Sequence, residues 1–169
     1  IKADIIEEIT RIYGYDNFEI FTSESALAPV RKEVLKSDED RMKDILVKSY
    51  RMHEVHSYIW SDVAKNKELG IETPENVSIL NAQTPDHKYL RKSMIPTLLS
   101  FVKENRTYRD SFAIFEIGHT VDGLREDGYC KEENKLGAVL YSKACDEETL
   151  FMRARDVVSE LCSDILHKS

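Results

Sequence analysis

The sequence predicts an α+β fold, and three observations carry it. Segments with helical periodicity alternate with segments rich in β-branched and aromatic residues, but without the regular strand–helix–strand rhythm of a parallel sheet. Of the 169 residues, 41% are hydrophobic, enough apolar side chain to build a core, while 33% are charged. The last segment carries an apolar stripe at helical spacing from Leu150 to Leu166, with a charged opposite face.

Ile5, Ile6, Ile9 and Ile12 recur at three and four residues and predict a first helix, with Gly14 as its stop. Residues 18–31 hold no sustained period and contain Pro29, which reads as an extended linker. Ser37 is expected to open the next helix, with Asp38, Glu39 and Asp40 in the first turn, where the macrodipole favours carboxylates. Met42, Ile45, Leu46 and Tyr50 give its apolar face.

Val55–Trp60 reads as a strand, Ser61 as the cap of a short helix ended by Gly70, and Val77–Leu80 as a brief strand. Pro96 fits the first turn of a helix lined by Ile95, Leu98, Leu99 and Val102. Phe112–Ile117 reads as a buried strand that Val121 continues. Asp122–Asn134 reads as a charged loop or hairpin end, and Leu136–Tyr141 as a further strand. The helices beginning near Pro96 and Leu150 are both expected to pack on the central sheet.

Charge and composition narrow the function classes. Lys and Arg number 24 against 31 Asp and Glu, a net charge of −7. A generic nucleic-acid binder leans basic, so any such contact is local or made through a partner. No apolar run reaches membrane-span length, and the acidic opening IKADIIEEI does not resemble a signal peptide. Cys130, Cys145 and Cys162 form no C-x-x-C pair and suit a reducing, cytoplasmic setting.

The candidate chemistry is sparse. Asp4, Glu7 and Glu8 stand at i, i+3 and i+4 on one helix face, where like charges repel by about 0.2–0.5 kcal/mol per pair. The macrodipole offsets part of this, and a hard divalent cation would offset more; a plain solvated face is the alternative. His53 and His56, three apart in a strand, face opposite sides and cannot share a metal there. Arg91, ahead of a helix, is placed either to hold a phosphate or carboxylate, or to pair at the surface with Asp86 or Glu116. No phosphate-loop, dinucleotide, serine-hydrolase or zinc-protease motif occurs.

Taken together, these segments resemble the β subunits of bacterial phenylalanyl-tRNA synthetase. Ala3–Asn17, A-D-I-I-E-E-I-T-R-I-Y-G-Y-D-N, is similar to that family's D-L-I-E-E-V-A-R-I-Y-G-Y-D-N. Tyr50–Tyr58 resembles its G-F/Y-x-E-V-x-S/T-Y passage. Asn81-Ala82 followed by Leu90–Leu99, L-R-K-S-M-I-P-T-L-L, resembles N-P…L-R-x-S-L-L-P-G-L-L, and Phe115–Gly118 matches F-E-I/V-G. The similarity runs in order from Ala3 to about Cys162.

The resemblance implies an antiparallel sheet flanked by helices, the fold of class II aminoacyl-tRNA synthetases in non-catalytic, truncated form. It implies that residues 1–17 are the C-terminal helix of a preceding winged-helix-like domain, 18–31 a linker, and 32–169 part of a catalytic-like synthetase module. In the family, the D-x-x-E-E carboxylates are Mg²⁺ ligands, here Asp4, Glu7 and Glu8. A further family ligand would fall before Ile1, so this set is incomplete. An active class II strand reads E-I-G-x-x-F/Y-R-x-E, and its arginine grips the α-phosphate of ATP. Here the strand reads Glu116-Ile117-Gly118-His119-Thr120-Val121-Asp122, with a carboxylate at the arginine position that repels phosphate.

The implied role is therefore a scaffold for the catalytic α subunit, two α and two β chains together. The assembled ligase uses ATP and Mg²⁺ to join phenylalanine to tRNA(Phe), while the isolated segment is expected to be inactive and without cofactor. The runner-up is a free-standing synthetase-like paralogue acting as an adaptor or small-molecule binder.

Overall fold

The structure, a computed structural model, describes residues 1–31 and 33–166. The chain divides into two compact units, Ile1–Lys32 and Glu33–Ser169. In the first unit, helix α1 spans Lys2–Tyr13 and ends at Gly14, whose φ of 94° lies in the region glycine reaches without a Cβ penalty. The Gly14 amide donates to the Thr10 carbonyl and closes the last turn. No residue of α1 is buried; Ile5, Ile6 and Ile9 of its apolar stripe are all more than half exposed. A short turn, Tyr15–Asn17, follows, and residues 19–31 carry neither helix nor strand.

The second unit is a three-stranded sheet covered on both faces. Strand β4 (Ser111–Leu124) is central, between β1 (His53–Glu54) and β5 (Cys130–Ser142). β4 and β5 form a long antiparallel hairpin in which Ser111 faces Ser142 and Glu116 faces Gly137. β1 joins β4 in parallel, so the sheet is mixed rather than wholly antiparallel. A separate antiparallel pair is made by β2 (Trp60–Ser61) and β3 (Tyr89–Leu90).

Alternation along β4 sorts its side chains between two cores. Phe115 packs with Leu46 and Met52 and with Val157 and Leu161. These come from helices α2 (Val34–Lys48) and α5 (Glu147–Leu166), or from the turn that follows α2. Ile114 faces the other way, onto Met94 and Leu98 of the third long helix, α4 (Ile95–Asn105), and of the residue that caps it. Among the described residues, no helix is long and apolar enough to cross a membrane.

Several local expectations are corrected. α2 begins at Val34, before Ser37, because the Ser37 amide already donates to the Glu33 carbonyl as the first helical bond. The short helix α3 (Val63–Glu68) is capped by Asp62, whose carboxylate accepts from the Lys65 amide, while Ser61 lies in β2.

Val55–Trp60 is extended but mostly outside any ladder. The Val55 amide bonds the Phe115 carbonyl, the Ser57 amide bonds the Glu116 carboxylate, and the Ile59 carbonyl accepts from Arg91. Val77–Leu80 contributes only a single bridge, Ser78 to Tyr89. Both hairpin strands run further than expected, because the charged stretch read as a loop continues the ladder through His119–Asn134 and Val121–Glu132. The α5 stripe splits: Val157 and Leu161 enter the core, whereas Phe151, Val158 and Cys162 stay exposed, and the Leu166 side chain lies outside the described positions.

Candidate functional site

The motif residues of the second unit converge behind the start of α4. Arg91 follows β3 immediately, and Glu116 and Gly118 lie on the face of β4 that α4 covers. Arg91 and Glu116 are buried, with 4% and 2% of their surface exposed. A guanidinium nitrogen of Arg91 donates to Glu116 Oε1 at 2.8 Å. A second nitrogen donates to Ser57 Oγ at 2.6 Å, and Nε donates to the His119 carbonyl at 3.0 Å. The Ser57 hydroxyl in turn donates to Glu116 Oε2 at 2.6 Å. Each guanidinium nitrogen and both carboxylate oxygens are engaged, the condition under which a buried ion pair is tolerated.

Arg91 therefore pairs with Glu116, one of the two carboxylates expected, but in the interior rather than at the surface. Its guanidinium is closed off within the fold, so it offers no free fork to a phosphate. Gly118 has a steric reason to be glycine. A Cβ there would stand 2.8 Å from an Arg91 guanidinium nitrogen and 3.1 Å from Glu116 Oε1. Across the hairpin, a Cβ at Gly137 would meet Leu98 Cδ1 at 3.1 Å. The two glycines thus let the first turn of α4 and the Arg91 fork lie close on the sheet.

Asp122 lies further along β4, half-exposed between two lysines. Lys131 and Lys92 each approach it at 3.5 Å. The hydrogen bond from Lys131, then its charge and that of Lys92, hold the carboxyl below its ordinary value, so it is ionised at neutral pH. Asp122 is thus an anion flanked by two cations already turned toward it.

Asn76, which no motif reading singled out, clamps this end. Its amide donates to the Leu90 carbonyl at 2.9 Å and the Val121 carbonyl at 2.6 Å, and its oxygen accepts from the Gly123 amide at 3.1 Å. Gly123 sits at the ladder's irregularity with φ 82°. Ser57 was missed for the same reason: a lone polar residue inside an extended segment signals nothing until its partner is known.

A groove of about 460 Å³ opens beside the Arg91–Glu116 pair, sharing Ser57 in its lining. Tyr58 stacks on Trp60 with ring centres 4.3 Å apart, and His87 also stacks on the indole at 5.1 Å. Lys65 reaches across to Glu104, and that hydrogen bond raises its ammonium above its ordinary value.

In the first unit, Asp4, Glu7 and Glu8 lie on exposed α1. Asp4 accepts from the Ile1 ammonium, and Glu8 from the Arg11 guanidinium. Among the described residues, no three His, Cys, Asp or Glu side chains converge as a metal site would require.

Comparison with known proteins adds the ancestry of this arrangement. The family model described as the phenylalanyl tRNA synthetase beta chain CLM domain matches residues 22–167. The phenylalanine–tRNA ligase β subunit of Leptospira biflexa is 26% identical over 170 aligned positions, covering 95% of this chain and 21% of the relative. That of Aquifex aeolicus is 30% identical over 139 positions, 82% of this chain and 16% of the relative. That of Sulfurisphaera tokodaii is 30% identical over 154 positions, 87% of this chain and 26% of the relative. The chain thus spans about a fifth of the length of the curated relatives it matches.

Among solved structures, a pyrrolysyl-tRNA synthetase from Desulfitobacterium hafniense superposes with a TM-score of 0.60 at 19% identity, over 77% of this chain and 46% of that one. A histidine–tRNA ligase subunit from Alicyclobacillus acidocaldarius gives 0.53 at 13% identity, over 86% and 43%. At such identities the likeness establishes the fold alone, that of class II aminoacyl-tRNA synthetases.

Proposed function

The chain belongs to the phenylalanyl-tRNA synthetase β chain family, and on that premise we propose that it is a non-catalytic portion of a phenylalanine–tRNA ligase β subunit. In this reading it packs on a catalytic α subunit in the cytoplasm. The assembled ligase, two α and two β chains, uses ATP and Mg²⁺ to join phenylalanine to tRNA(Phe). Residues 1–17 then belong to a preceding winged-helix-like domain, 18–31 are a linker, and 32–169 are part of the catalytic-like module.

The observation that carries the non-catalytic reading is the state of the charged motif residues. Arg91 is enclosed by Glu116, Ser57 and the His119 carbonyl, and Asp122 presents a carboxylate at the phosphate-gripping position. Neither arrangement favours a nucleotide triphosphate. The scaffold reading is supported by what stays uncovered. Ile5, Ile6 and Ile9 on α1, and Phe151 and Val158 on α5, are more than half exposed. The outer edge of β5 has no strand partner among the described residues. Such apolar faces and open edges favour cover by another chain.

In the assembled ligase, Asp4, Glu7 and Glu8 are proposed to reach a shared Mg²⁺ whose remaining oxygens come from outside this chain. Sedimentation of the chain with and without purified α subunit tests the reading. Weak self-association that α displaces, with both proteins sedimenting together, is expected. A strictly monomeric chain that ignores α at concentrations on the order of 10 µM would overturn it.

A further inference from the structure

A second groove, of about 610 Å³, opens where β1, the end of α4 and the start of β4 meet. Its volume lies within the range of small-molecule sites. Val55, Phe101, Phe112 and Ile114 give it an apolar lining, and Arg51, His53 and Arg109 add positive or protonatable groups. His53 and His56 both line it, although three residues apart, because β1 ends at Glu54 and the alternation of a strand no longer separates them.

The three side chains Arg51, His53 and Arg109 make no hydrogen bond and no ion pair among the described residues. Elsewhere in this chain of net charge −7, Lys43, Lys65, Lys103 and Arg41 hold carboxylates. His56 is already turned to Glu54 at 3.4 Å and is discounted. Arg51 is also conformationally costly. It occupies the left-handed region, φ 53°, just past the end of α2, where glycine is the usual residue. No carboxylate lines the groove.

We propose that this groove binds a small organic anion, a carboxylate carried on an aromatic or branched aliphatic body. A guanidinium fork matches a carboxylate with two parallel hydrogen bonds, and the apolar lining receives the body. With no acidic side chain at the rim, an ammonium on the ligand finds no partner and stays desolvated, so a simple acid binds better than a zwitterionic amino acid. Inorganic phosphate satisfies the cations but leaves the lining empty. The inference goes beyond the β-subunit reading and does not depend on it.

The test is titration of the chain with 3-phenylpropionate at neutral pH, following the Val55 and Ile114 methyl signals by NMR. 3-Phenylpropanamide, L-phenylalanine and inorganic phosphate are run in parallel. Saturable shifts confined to the groove are expected for the acid, with the amide and L-phenylalanine about tenfold weaker or more. Phosphate is expected to leave the methyl signals in place. Arg109→Gln should weaken the acid about tenfold, and Asn105→Asp should do the same by adding a negative charge at the rim without removing a cation. Because the two substitutions alter the rim in different ways, either one that keeps the folded spectrum decides the point. Absence of saturable shifts, equal binding of acid and amide, or undiminished binding in a folded variant would overturn the proposal.

Discussion

The sequence's two most distinctive charged motifs meet opposite fates. The pair Arg91–Glu116 is enclosed beneath α4 and satisfied by the chain's own groups. Asp4, Glu7 and Glu8 lie open on α1, where Glu8 finds a nearby cation of ordinary surface kind in Arg11. The difference lies in where the free energy of each motif is realised. A buried charge must be closed by its own fold, so Arg91 and Glu116 act on stability. Exposed carboxylates at helical spacing give the helix little, so any function of the α1 cluster is completed from outside.

The largest effect that separates the two regions is expected at Glu116. Glu116→Ala leaves the Arg91 guanidinium buried without its counter-charge and should cost about 3–5 kcal/mol of unfolding free energy, read from urea melts. Combining Arg91→Met with Glu116→Leu should recover much of that loss. A double variant as unstable as Glu116→Ala would show that the pair does more than close its own charges.

Next in size is Gly118→Ala. The new Cβ would press on a guanidinium held by three hydrogen bonds, so the fork cannot swing away freely. A loss of about 1–3 kcal/mol is expected from the overpacking. An unchanged urea midpoint would show that the fork is looser than its bonds imply.

These two substitutions also mark how far the sequence could be read. The motifs L-R-K-S and F-E-I-G were legible as family signatures, and Glu116 was a named partner for Arg91. Nothing in the residue types said that the pair is buried, because burial depends on α4 closing over the sheet and on Gly118 and Gly137 admitting it. The helices α1, α4 and α5 were legible through their apolar periods. The outer part of β5 was not, because Lys131, Glu132, Glu133 and Lys135 put charges on both faces and lose the alternation that betrays a half-buried strand. Val55–Trp60 has strand composition, but its amides are taken by the Phe115 carbonyl and the Glu116 carboxylate. The groove around Arg51 and Arg109 was invisible, since its lining comes from three separate elements and Arg51 holds a backbone conformation that its identity does not advertise.

A smaller, pH-dependent effect belongs to Tyr50, which ties the end of α2 to α5. Its hydroxyl donates to Glu160 at 2.6 Å, and that bond, with partial burial and the nearby carboxylates, pushes the phenol up to about 12 from an ordinary value of 10.0. The neutral phenol is the form the fold favours. Its contribution is therefore complete below pH 10.0, where the unfolded tyrosine is also neutral, and is lost as pH rises toward about 12. Tyr50→Phe should flatten that part of the stability profile, and the phenolate absorbance lost with the substitution should be the component that titrates latest. A Tyr50 titrating with the bulk of the tyrosines would contradict the bond.

The smallest effect is expected on α1. Glu7→Gln with Glu8→Gln should leave the stability of the isolated chain within about 0.5 kcal/mol, since exposed substitutions rarely do more. In an assembled ligase the same pair should weaken the response to Mg²⁺. A large stability loss in the isolated chain would move this cluster into the same class as Arg91–Glu116 and erase the contrast between the regions.

The non-catalytic reading of the second unit is tested most directly by ATP–pyrophosphate exchange with the purified chain, supplied with phenylalanine and Mg²⁺. No exchange above the enzyme-free blank is expected, because Arg91 is closed within the fold and Asp122 repels the phosphates it would need to hold. Phenylalanine-dependent exchange by the chain alone, absent in a control that lacks phenylalanine, would contradict it.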